Sequence, residues 1–199
     1  MTDQPKTTQQ LLSQWHTPSW VAEAVWARAS LRSPVTLLEP AAGTGQLLLP
    51  VDENVAVTAC ELDPELAGTY LAKLDPPLHD LRVGDFLEQT FPQPPAGRWT
   101  FDVALLNPPF EGNQDVGFIL RAFELAAVVV VLARVQLLHR KYAQVHLWSR
   151  KDVCLSFRGD CVPRPRFGGD YNPMDEYCIL ELTHGPQQRR IEYARVLKV

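Results

Sequence analysis

The chain has 199 residues, of which 46% are hydrophobic and 21% are charged, so it is long and apolar enough to bury one ordinary globular core. Its 19 Lys and Arg stand against 23 Asp and Glu, and the net charge of −4 argues against indiscriminate binding of polyanions. These values exclude a disordered tail, a collagen-like rod and a disulfide-stapled miniprotein. They predict a single domain over residues 1–199.

Three further features of the sequence bear on location. Residues 1–14 are polar, lack the apolar stretch of a secretory signal and are expected to be flexible. The longest apolar run, 125–133, has about half the length that a membrane span needs. The four cysteines form no close pair and no CxxC motif. We therefore expect a cytoplasmic protein with reduced thiols.

The predicted elements alternate between helix and strand along the chain. In order, they are a helix over 17–29, strand 35–39, short helix 47–49, strand 55–62, helix 63–74, strands 81–83 and 101–106, helix 116–127, strand 128–132, helix 135–145, and strands 153–157 and 177–182. This alternation is typical of a doubly wound sheet, whose ligands bind at the carboxyl ends of the strands. The residues just after each strand are therefore the first to examine.

Two strand ends carry small ligand-binding signals. Gly43 and Gly45 follow the first strand, where glycines let a backbone approach a ligand closely, but Leu48 replaces the third glycine of the dinucleotide fingerprint. Glu61 ends the second strand, where a carboxylate can accept both hydroxyls of a ribose. The alternative for Glu61 is a surface charge that favours the start of the next helix.

Asp85 and Phe86 follow the third strand. A carboxylate beside an aromatic ring suits an adenine, because the acid accepts from the amino group while the ring stacks on the base. The same residues also fit an ordinary turn.

The strongest signal is the tetrapeptide Asn107-Pro108-Pro109-Phe110, directly after the apolar strand 101–106. The two prolines fix φ and remove two backbone donors, so the segment offers hydrogen-bond acceptors. The Asn107 oxygen and the Pro108 carbonyl can hold the two hydrogens of a planar amine, and Phe110 can stack on its ring. We predict a catalytic role for all four residues.

Taken together, the motifs resemble those of the S-adenosylmethionine-dependent N6-adenine DNA methyltransferases, over residues 15 to about 184. The matching segments are Trp15-His16-Thr17-Pro18, Glu39-Pro40-Ala41-Ala42-Gly43-Thr44-Gly45, Glu61, Asp85-Phe86 and Asn107-Pro108-Pro109-Phe110. The resemblance implies a Rossmann-like class I methyltransferase fold, with a seven-stranded, mostly parallel sheet, an antiparallel strand and helices on both faces. It also implies direct methyl transfer to the N6 amine of a flipped-out adenine, with no covalent intermediate.

The resemblance also implies a set of residues for the cofactor S-adenosylmethionine: Thr17, Pro18, Glu39, Pro40, Ala41, Gly43, Gly45, Glu61, Leu62, Asp85, Phe86 and Asn107. In the family, the first two touch the methionine end of the cofactor, the acid after the second strand binds the ribose, and the acid-aromatic pair reads the adenine. The tail segments 165–170 and 174–177 are similar to those of small phage-type adenine methyltransferases. The last strand, 178–182, departs from the aromatic-rich strand of those relatives.

The basic residues are concentrated in the second half of the chain. Residues 134–166 contain 8 Lys and Arg against 2 Asp and Glu. We expect residues 134–184 to face DNA, with phosphate contacts from Arg134, Arg140, Lys141, Arg150, Lys151, Arg158, Arg164 and Arg166. The alternative is a solvated helix face. Three alternatives are open for target recognition: it is made by short loops, its specificity is relaxed, or a specificity partner or a homodimer completes it. No membrane is involved.

Four alternatives remain open at this point. The first is methylation of adenine in RNA, because the tetrapeptide does not distinguish the sugar. The second is N5-methylation of a protein glutamine, whose amide is also a planar NH₂. The third is a binding module that transfers nothing. The fourth is a zinc set made of His139, His146, Cys154 and Cys161, whose seven-residue steps are wider than the pairs of structural zinc sites, so we predict no metal.

Overall fold

The computed structural model describes residues 17–69, 71–74, 78–92, 94, 98–167, 175–186 and 191–198. The segment 1–14 that we expected to be flexible, the pair Trp15-His16 and part of the tail motif at 168–174 lie outside the described residues.

Eight strands form one sheet in the order β3-β2-β1-β4-β5-β7-β6-β8. They are β1 (Thr36–Glu39), β2 (Ala56–Glu61), β3 (Asp80–Val83), β4 (Phe101–Leu106), β5 (Ala126–Arg134), β6 (Val153–Val162), β7 (Tyr177–His184) and β8 (Glu192–Leu197). Strand β7 runs antiparallel to β5 and β6, and the remaining pairings are parallel. The predicted mostly parallel sheet with an antiparallel strand is confirmed, but it has eight strands rather than seven.

Helices cover both faces of the sheet, as predicted. They are α1 (Ser19–Ser30), α2 (Pro64–Thr69), α3 (Gln114–Leu125) and α4 (Lys141–Ala143). Side chains alternate between the faces, so that Leu37 packs in the core beneath α1 whereas Leu38 packs in the core beneath α3. The longest helices among the described residues have 12 residues each, and no described helix has the length and apolar character needed to cross a membrane.

Three predicted helix boundaries were wrong. The helix predicted over 116–127 ends at Leu125, and the buried strand β5 begins at the next residue. Within the helix predicted over 63–74, the described residues form an α-helix at Pro64–Thr69 and a 3-10 turn at Leu71–Lys73. The single helix predicted over 135–145 is a series of short turns that includes α4.

A single helix over 135–145 would place Val135, Leu138, Tyr142 and Val145 on one apolar face. Tyr142 and Val145 are instead 43% and 56% exposed. Leu137, Ala143 and Leu147 are buried instead, because the successive short turns do not keep a 3.6-residue period.

The parallel strands determine where ligands can bind. All strands except β7 run in the same direction, and we call the edge at which they end the carboxyl edge. The opposite edge is the amino edge. Because β7 is antiparallel, the chain before it also lies at the carboxyl edge. Except for Thr17 and Pro18, which precede α1, the predicted site residues lie at or just after the ends of strands that finish there.

Candidate functional site

The loop after β1 bends through two glycines with positive φ, Gly43 at 56° and Gly45 at 80°. A Cβ on Gly45 would lie 3.0 Å from Leu71 Cδ2, so this position needs glycine for packing. A Cβ on Gly43 would meet no described atom within 4 Å. Gly43 therefore keeps space open in front of the loop, where a ligand can approach the backbone. Pro40, which begins this loop, is buried, and Ala41 is half-buried.

Glu61 at the end of β2 holds this glycine loop in place. Its Oε2 accepts a hydrogen bond from the Gly43 N–H at 2.6 Å, and its Oε1 accepts one from the Asp63 N–H at 2.9 Å. A carboxylate oxygen has a second lone pair, so both oxygens can still accept from a hydroxyl group. Leu62, the next residue, is exposed. The predicted contacts of both residues with a ribose stay predictions.

Glu39 at the end of β1 is a buried carboxyl group, 1% exposed. Neither carboxylate oxygen completes a hydrogen bond of normal geometry within the described ranges. Burial raises the pKa of Glu39 well above its ordinary value, the backbone N–H of Ala41 acts in the opposite direction, and the charge of Glu61 raises it further. A buried carboxylate of this kind is stabilised by a positively charged partner, which a ligand can provide.

Asp85 and Phe86 follow β3, and their side chains point to different environments. Asp85 is exposed, and its Oδ1 accepts from the Leu87 N–H at 2.9 Å, which caps a 3-10 turn. The Phe86 ring is 2% exposed and packs in the core, with its centroid 5.4 Å from that of Phe118. This corrects the expectation that the ring stacks on an adenine. A contact through the Phe86 backbone stays a prediction.

The tetrapeptide at 107–110, which we call the NPPF loop, follows β4. Asn107 Nδ2 donates a hydrogen bond to Thr17 Oγ1 at 2.9 Å, and Thr17 precedes Pro18, the N-cap residue of α1. Asn107 Oδ1 is buried and has no hydrogen-bond partner among the residues that the structure describes. The amide is therefore oriented with its nitrogen engaged and its oxygen left as an acceptor. Pro108 is buried and Pro109 half-buried, and neither has an N–H.

Phe110 lies beneath a cation that the sequence analysis did not connect with it. The Arg134 guanidinium lies 4.7 Å from the centroid of the Phe110 ring, and the Tyr177 ring meets it edge-on at 5.8 Å. Arg134 Nε is also 3.2 Å from Asp175 Oδ2. Only the positions of these residues in the sequence pointed to this contact. Arg134 is the last residue of the buried strand β5, and Asp175 lies just before β7, the strand that pairs with β5.

The basic residues expected to face nucleic acid are divided between the two edges of the sheet. Arg150 and Lys151 precede β6 and lie at the amino edge. Arg158 lies within β6 and is paired with Asp160 at 2.7 Å. The remaining members follow β5 or β6 and lie at the carboxyl edge: Arg134, Arg140, Lys141, Arg164 and Arg166. The predicted face over 134–184 is thus not one surface.

The structure does not assemble the zinc alternative. Cys154 and Cys161 lie on one strand, seven residues apart, and all four cysteines are buried and free. Within the described ranges, no three His, Cys, Asp or Glu side chains are grouped so that they could hold a metal ion.

No protein-family model matches the chain. It is 30% identical over 151 residues to a probable ribosomal RNA small subunit methyltransferase A of Methanothermobacter thermautotrophicus, covering 69% of this chain and 53% of that protein. It is 31% identical over 107 residues to a probable dimethyladenosine transferase of Dictyostelium discoideum, covering 51% of this chain and 32% of that protein. The chain thus spans about half the length of the first relative and about a third of the second.

Two solved structures have the same fold. One is a Pyrococcus horikoshii protein described as a candidate RNA methyltransferase, with a TM-score of 0.69 and 21% identity over 92% of this chain and 93% of that chain. The other is the M protein of the type I restriction enzyme EcoKI, with a TM-score of 0.64 and 18% identity over 86% of this chain and 44% of that chain. The predicted Rossmann-like methyltransferase fold is confirmed. In sequence, the chain is similar to adenine methyltransferases.

Proposed function

We propose that this chain is an S-adenosylmethionine-dependent methyltransferase that modifies the exocyclic N6 amine of adenine in DNA, with the base flipped out of the duplex. The observation that carries the proposal is the buried Oδ1 of Asn107, an acceptor without a partner among the described side chains and backbone groups. Burying such an acceptor is unfavourable unless a ligand donates to it. The planar NH₂ of adenine is a donor of the required kind.

The residues at the carboxyl edge fit the cofactor. S-adenosylmethionine supplies a reactive methyl group on a positively charged sulfur, and it carries an ammonium group, a ribose and an adenine. The buried carboxyl of Glu39 suits the ammonium group, the lone pairs of Glu61 suit the ribose hydroxyls, and exposed Asp85 suits the adenine amine. Gly43 leaves room for the backbone of the loop to approach them. Thr17, Pro18, Pro40, Ala41, Gly45, Leu62, the Phe86 backbone and Asn107 complete the proposed binding set.

The NPPF loop acts on the amine through hydrogen-bond acceptance. Asn107 Oδ1 and the Pro108 carbonyl accept its two hydrogens, which aims the nitrogen lone pair away from the ring plane. The N–CH₃ bond would form as the methyl–sulfur bond breaks, with S-adenosylhomocysteine as the leaving group. The positive charge passes from sulfur to this nitrogen, where the two acceptors stabilise it. The excess proton stays hydrogen-bonded at Asn107 Oδ1 until it passes to water. Pro109 contributes no donor that would compete, and Phe110 provides a surface for the base.

RNA is the second candidate substrate. It is favoured by the two sequence relatives, whose names refer to ribosomal RNA and to dimethyladenosine. DNA is favoured by the tail segments, which resemble those of small phage-type adenine methyltransferases, whereas the N-P-P-aromatic motif fits adenine in either nucleic acid. The four arginines at the carboxyl edge, Arg134, Arg140, Arg164 and Arg166, favour either nucleic acid over a protein glutamine. We place the reaction in the bacterial or phage-infected cytoplasm and expect a specificity partner or a second copy to assist recognition.

The experiment is nucleoside mass spectrometry on unmethylated duplex DNA and on RNA, each incubated with the protein and S-adenosylmethionine. Asn107→Ala tests the site, and Arg150→Ala at the amino edge is the control. N6-methyldeoxyadenosine that is absent with Asn107→Ala supports the proposal, and methylated adenosine found in RNA alone replaces the DNA substrate by RNA. If neither nucleic acid is modified while calorimetry shows cofactor binding, the proposal fails, and glutamine-containing proteins are tested next.

A further inference from the structure

A pocket of about 500 Å³ lies at the carboxyl edge, outside the residues assigned so far to the cofactor or the amine. Its lining consists of Val135, Gln136, His139, Arg140, Arg164 and Glu176. These residues come from the chain segments after β5, after β6 and before β7, which the antiparallel β7 brings together. The volume is in the range of pockets that hold small organic groups.

The pocket adjoins the proposed base-binding surface. Arg134, whose guanidinium covers the Phe110 ring, is followed directly by Val135 in the pocket wall. The Val135 N–H donates to the Glu176 carbonyl at 2.8 Å, which holds the opposite wall against it. The pocket wall therefore begins at the residue that directly follows the arginine covering the Phe110 ring.

The charges in the pocket suit a phosphate. Arg140 is held by Asp115 at 2.6 Å, yet its Nε has no hydrogen-bond partner in the described part of the chain. Arg164 is half-exposed, and its ion pair with Glu176 is long, at 3.8 Å. Loose exposed pairs contribute little to stability, so Arg164 can turn to another anion at small cost.

The remaining polar groups suit the edge of a base. Gln136 Nε2 donates to Asp175 Oδ1 at 2.9 Å, which leaves the Gln136 amide oxygen as an acceptor. The Glu176 carboxylate supplies further acceptors, and carboxylates and amides are the groups that read amino groups on base edges. A pocket for phosphate alone would gain nothing from a carboxylate in its wall.

We propose that this pocket binds the nucleotide next to the target adenine, an inference that rests on the proposed function. Arg140 and Arg164 contact its phosphate, and Gln136 and Glu176 contact its base. The pocket would then determine which base is accepted beside the modified adenine, so that loops of the catalytic domain themselves contribute to sequence preference.

The test measures binding of fluorescein-labelled DNA and RNA oligonucleotides that contain one adenine, with each of the four bases beside it. Arg164→Ala should weaken binding about tenfold and lower the slope of affinity against salt by about one ion. Glu176→Gln should change the ranking of the four neighbouring bases. Arg150→Ala at the amino edge is the matched control and should change neither quantity.

Affinity for S-adenosylmethionine, measured by calorimetry, should be the same in all four proteins. The pocket assignment is overturned if Arg164→Ala binds like Arg150→Ala, if Glu176→Gln keeps the original ranking, or if no oligonucleotide binds. Because this assay needs no turnover, it separates the two proposals. Loss of binding in Arg164→Ala without any methylated product would retain the pocket and reject the proposed reaction. Methylation that is unchanged in Arg164→Ala and in Glu176→Gln would retain the proposed reaction and reject the pocket assignment.

Discussion

Asn107 donates a hydrogen bond to Thr17 over 2.9 Å and so joins the loop after β4 to the start of α1. The two residues are 90 positions apart in the chain. The bond engages the amide nitrogen of Asn107, and without it the nitrogen and the oxygen of the amide could exchange places. Thr17 thereby determines which atom of the amide is presented to a substrate. This makes Thr17 a positioning residue.

Replacing Thr17 with Ala should lower kcat about fivefold, because one hydrogen bond contributes about 1 kcal/mol and the amide would then rotate. Thr17→Ser keeps the hydroxyl group and should retain most of the activity. Single-turnover methylation measures the effect, together with calorimetric cofactor affinity. Equal rates for Thr17→Ala and the original protein would show that the bond does not orient Asn107.

Glu39 should make the cofactor-free protein less stable as pH rises. Its pKa is raised in the folded state because the carboxyl group is buried. For an acid with a raised folded pKa, stability is greatest below the unfolded pKa and falls as pH increases from there through the folded pKa. Urea unfolding of the original protein and of Glu39→Gln between pH 4 and pH 8 should show a larger pH dependence for the original protein.

Addition of S-adenosylmethionine gives this prediction a second readout. If the ammonium group of the cofactor neutralises Glu39, the cofactor should stabilise the original protein at pH 8 and stabilise Glu39→Gln much less. If the unfolding free energies of the original protein and of Glu39→Gln changed with pH in the same way, Glu39 would not be a buried carboxyl group without a partner.

Glu181 in β7 should be among the residues most important for stability. It is fully buried and accepts hydrogen bonds from Arg28 Nε at 2.8 Å, from Ser156 at 2.6 Å and from Arg32. Glu181→Ala should cost about 3 kcal/mol of unfolding free energy, since Arg28 in α1 is only 12% exposed and would lose its main partner. Arg150→Ala, which breaks an exposed pair with Asp152, should cost less than about 1 kcal/mol.

The pH dependence of the Glu181 effect has the opposite sign to that of Glu39. Burial acts to raise the pKa of Glu181, but the bonds from Arg28, Arg32 and Ser156 outweigh it and lower the pKa below its ordinary value. The stabilisation is therefore present above the unfolded pKa and is lost as pH falls through the folded pKa. Urea unfolding at pH 7 and pH 3 should show a smaller effect of Glu181→Ala at the lower pH.

The cysteines should not react in the folded protein. All four are buried and free, and burial raises the pKa of Cys60, Cys161 and Cys178 to about 12. The thiolate that attacks a disulfide reagent is therefore scarce at pH 8. Ellman's reagent should label no more than a small fraction of one thiol in native protein and four thiols in guanidinium chloride. Rapid labelling of any one under native conditions would contradict its burial.

The sequence was informative where one physical signal dominated. The β-branched run in β5 is buried on both faces, and the NPPF loop follows an apolar strand directly, so both could be located without a structure. Strand β8 could not be located from the sequence. It carries charged residues, and among the described strands it pairs only with β6. The end of α3 was equally hidden, since Ala126 and Ala127 suit a helix as well as a strand.

The details of the candidate site depended on tertiary contacts. Phe86 turns into the core because neighbouring aromatic rings offer it a buried position, and nothing in its local sequence distinguishes this from an exposed ring. The basic residues of 134–166 are close together in the sequence. Strand β6 runs from the amino edge to the carboxyl edge, so the residues before it and after it lie at opposite edges of the sheet. The contact of Arg134 with Phe110 joins residues 24 positions apart that only the pairing of β4 with β5 brings together.

Strand β8 has a practical consequence for anyone who modifies this protein. It runs parallel to β6, and the Lys198 N–H donates to the Val162 carbonyl at 3.1 Å, so the described chain finishes at the same edge of the sheet where Thr17 begins it. A fused domain joined directly before Thr17 or directly after Lys198 would therefore start beside the face that we assign to the nucleic acid. A fluorophore or an immobilisation tether is better attached through the exposed turn at 149–152, on the opposite side of the molecule.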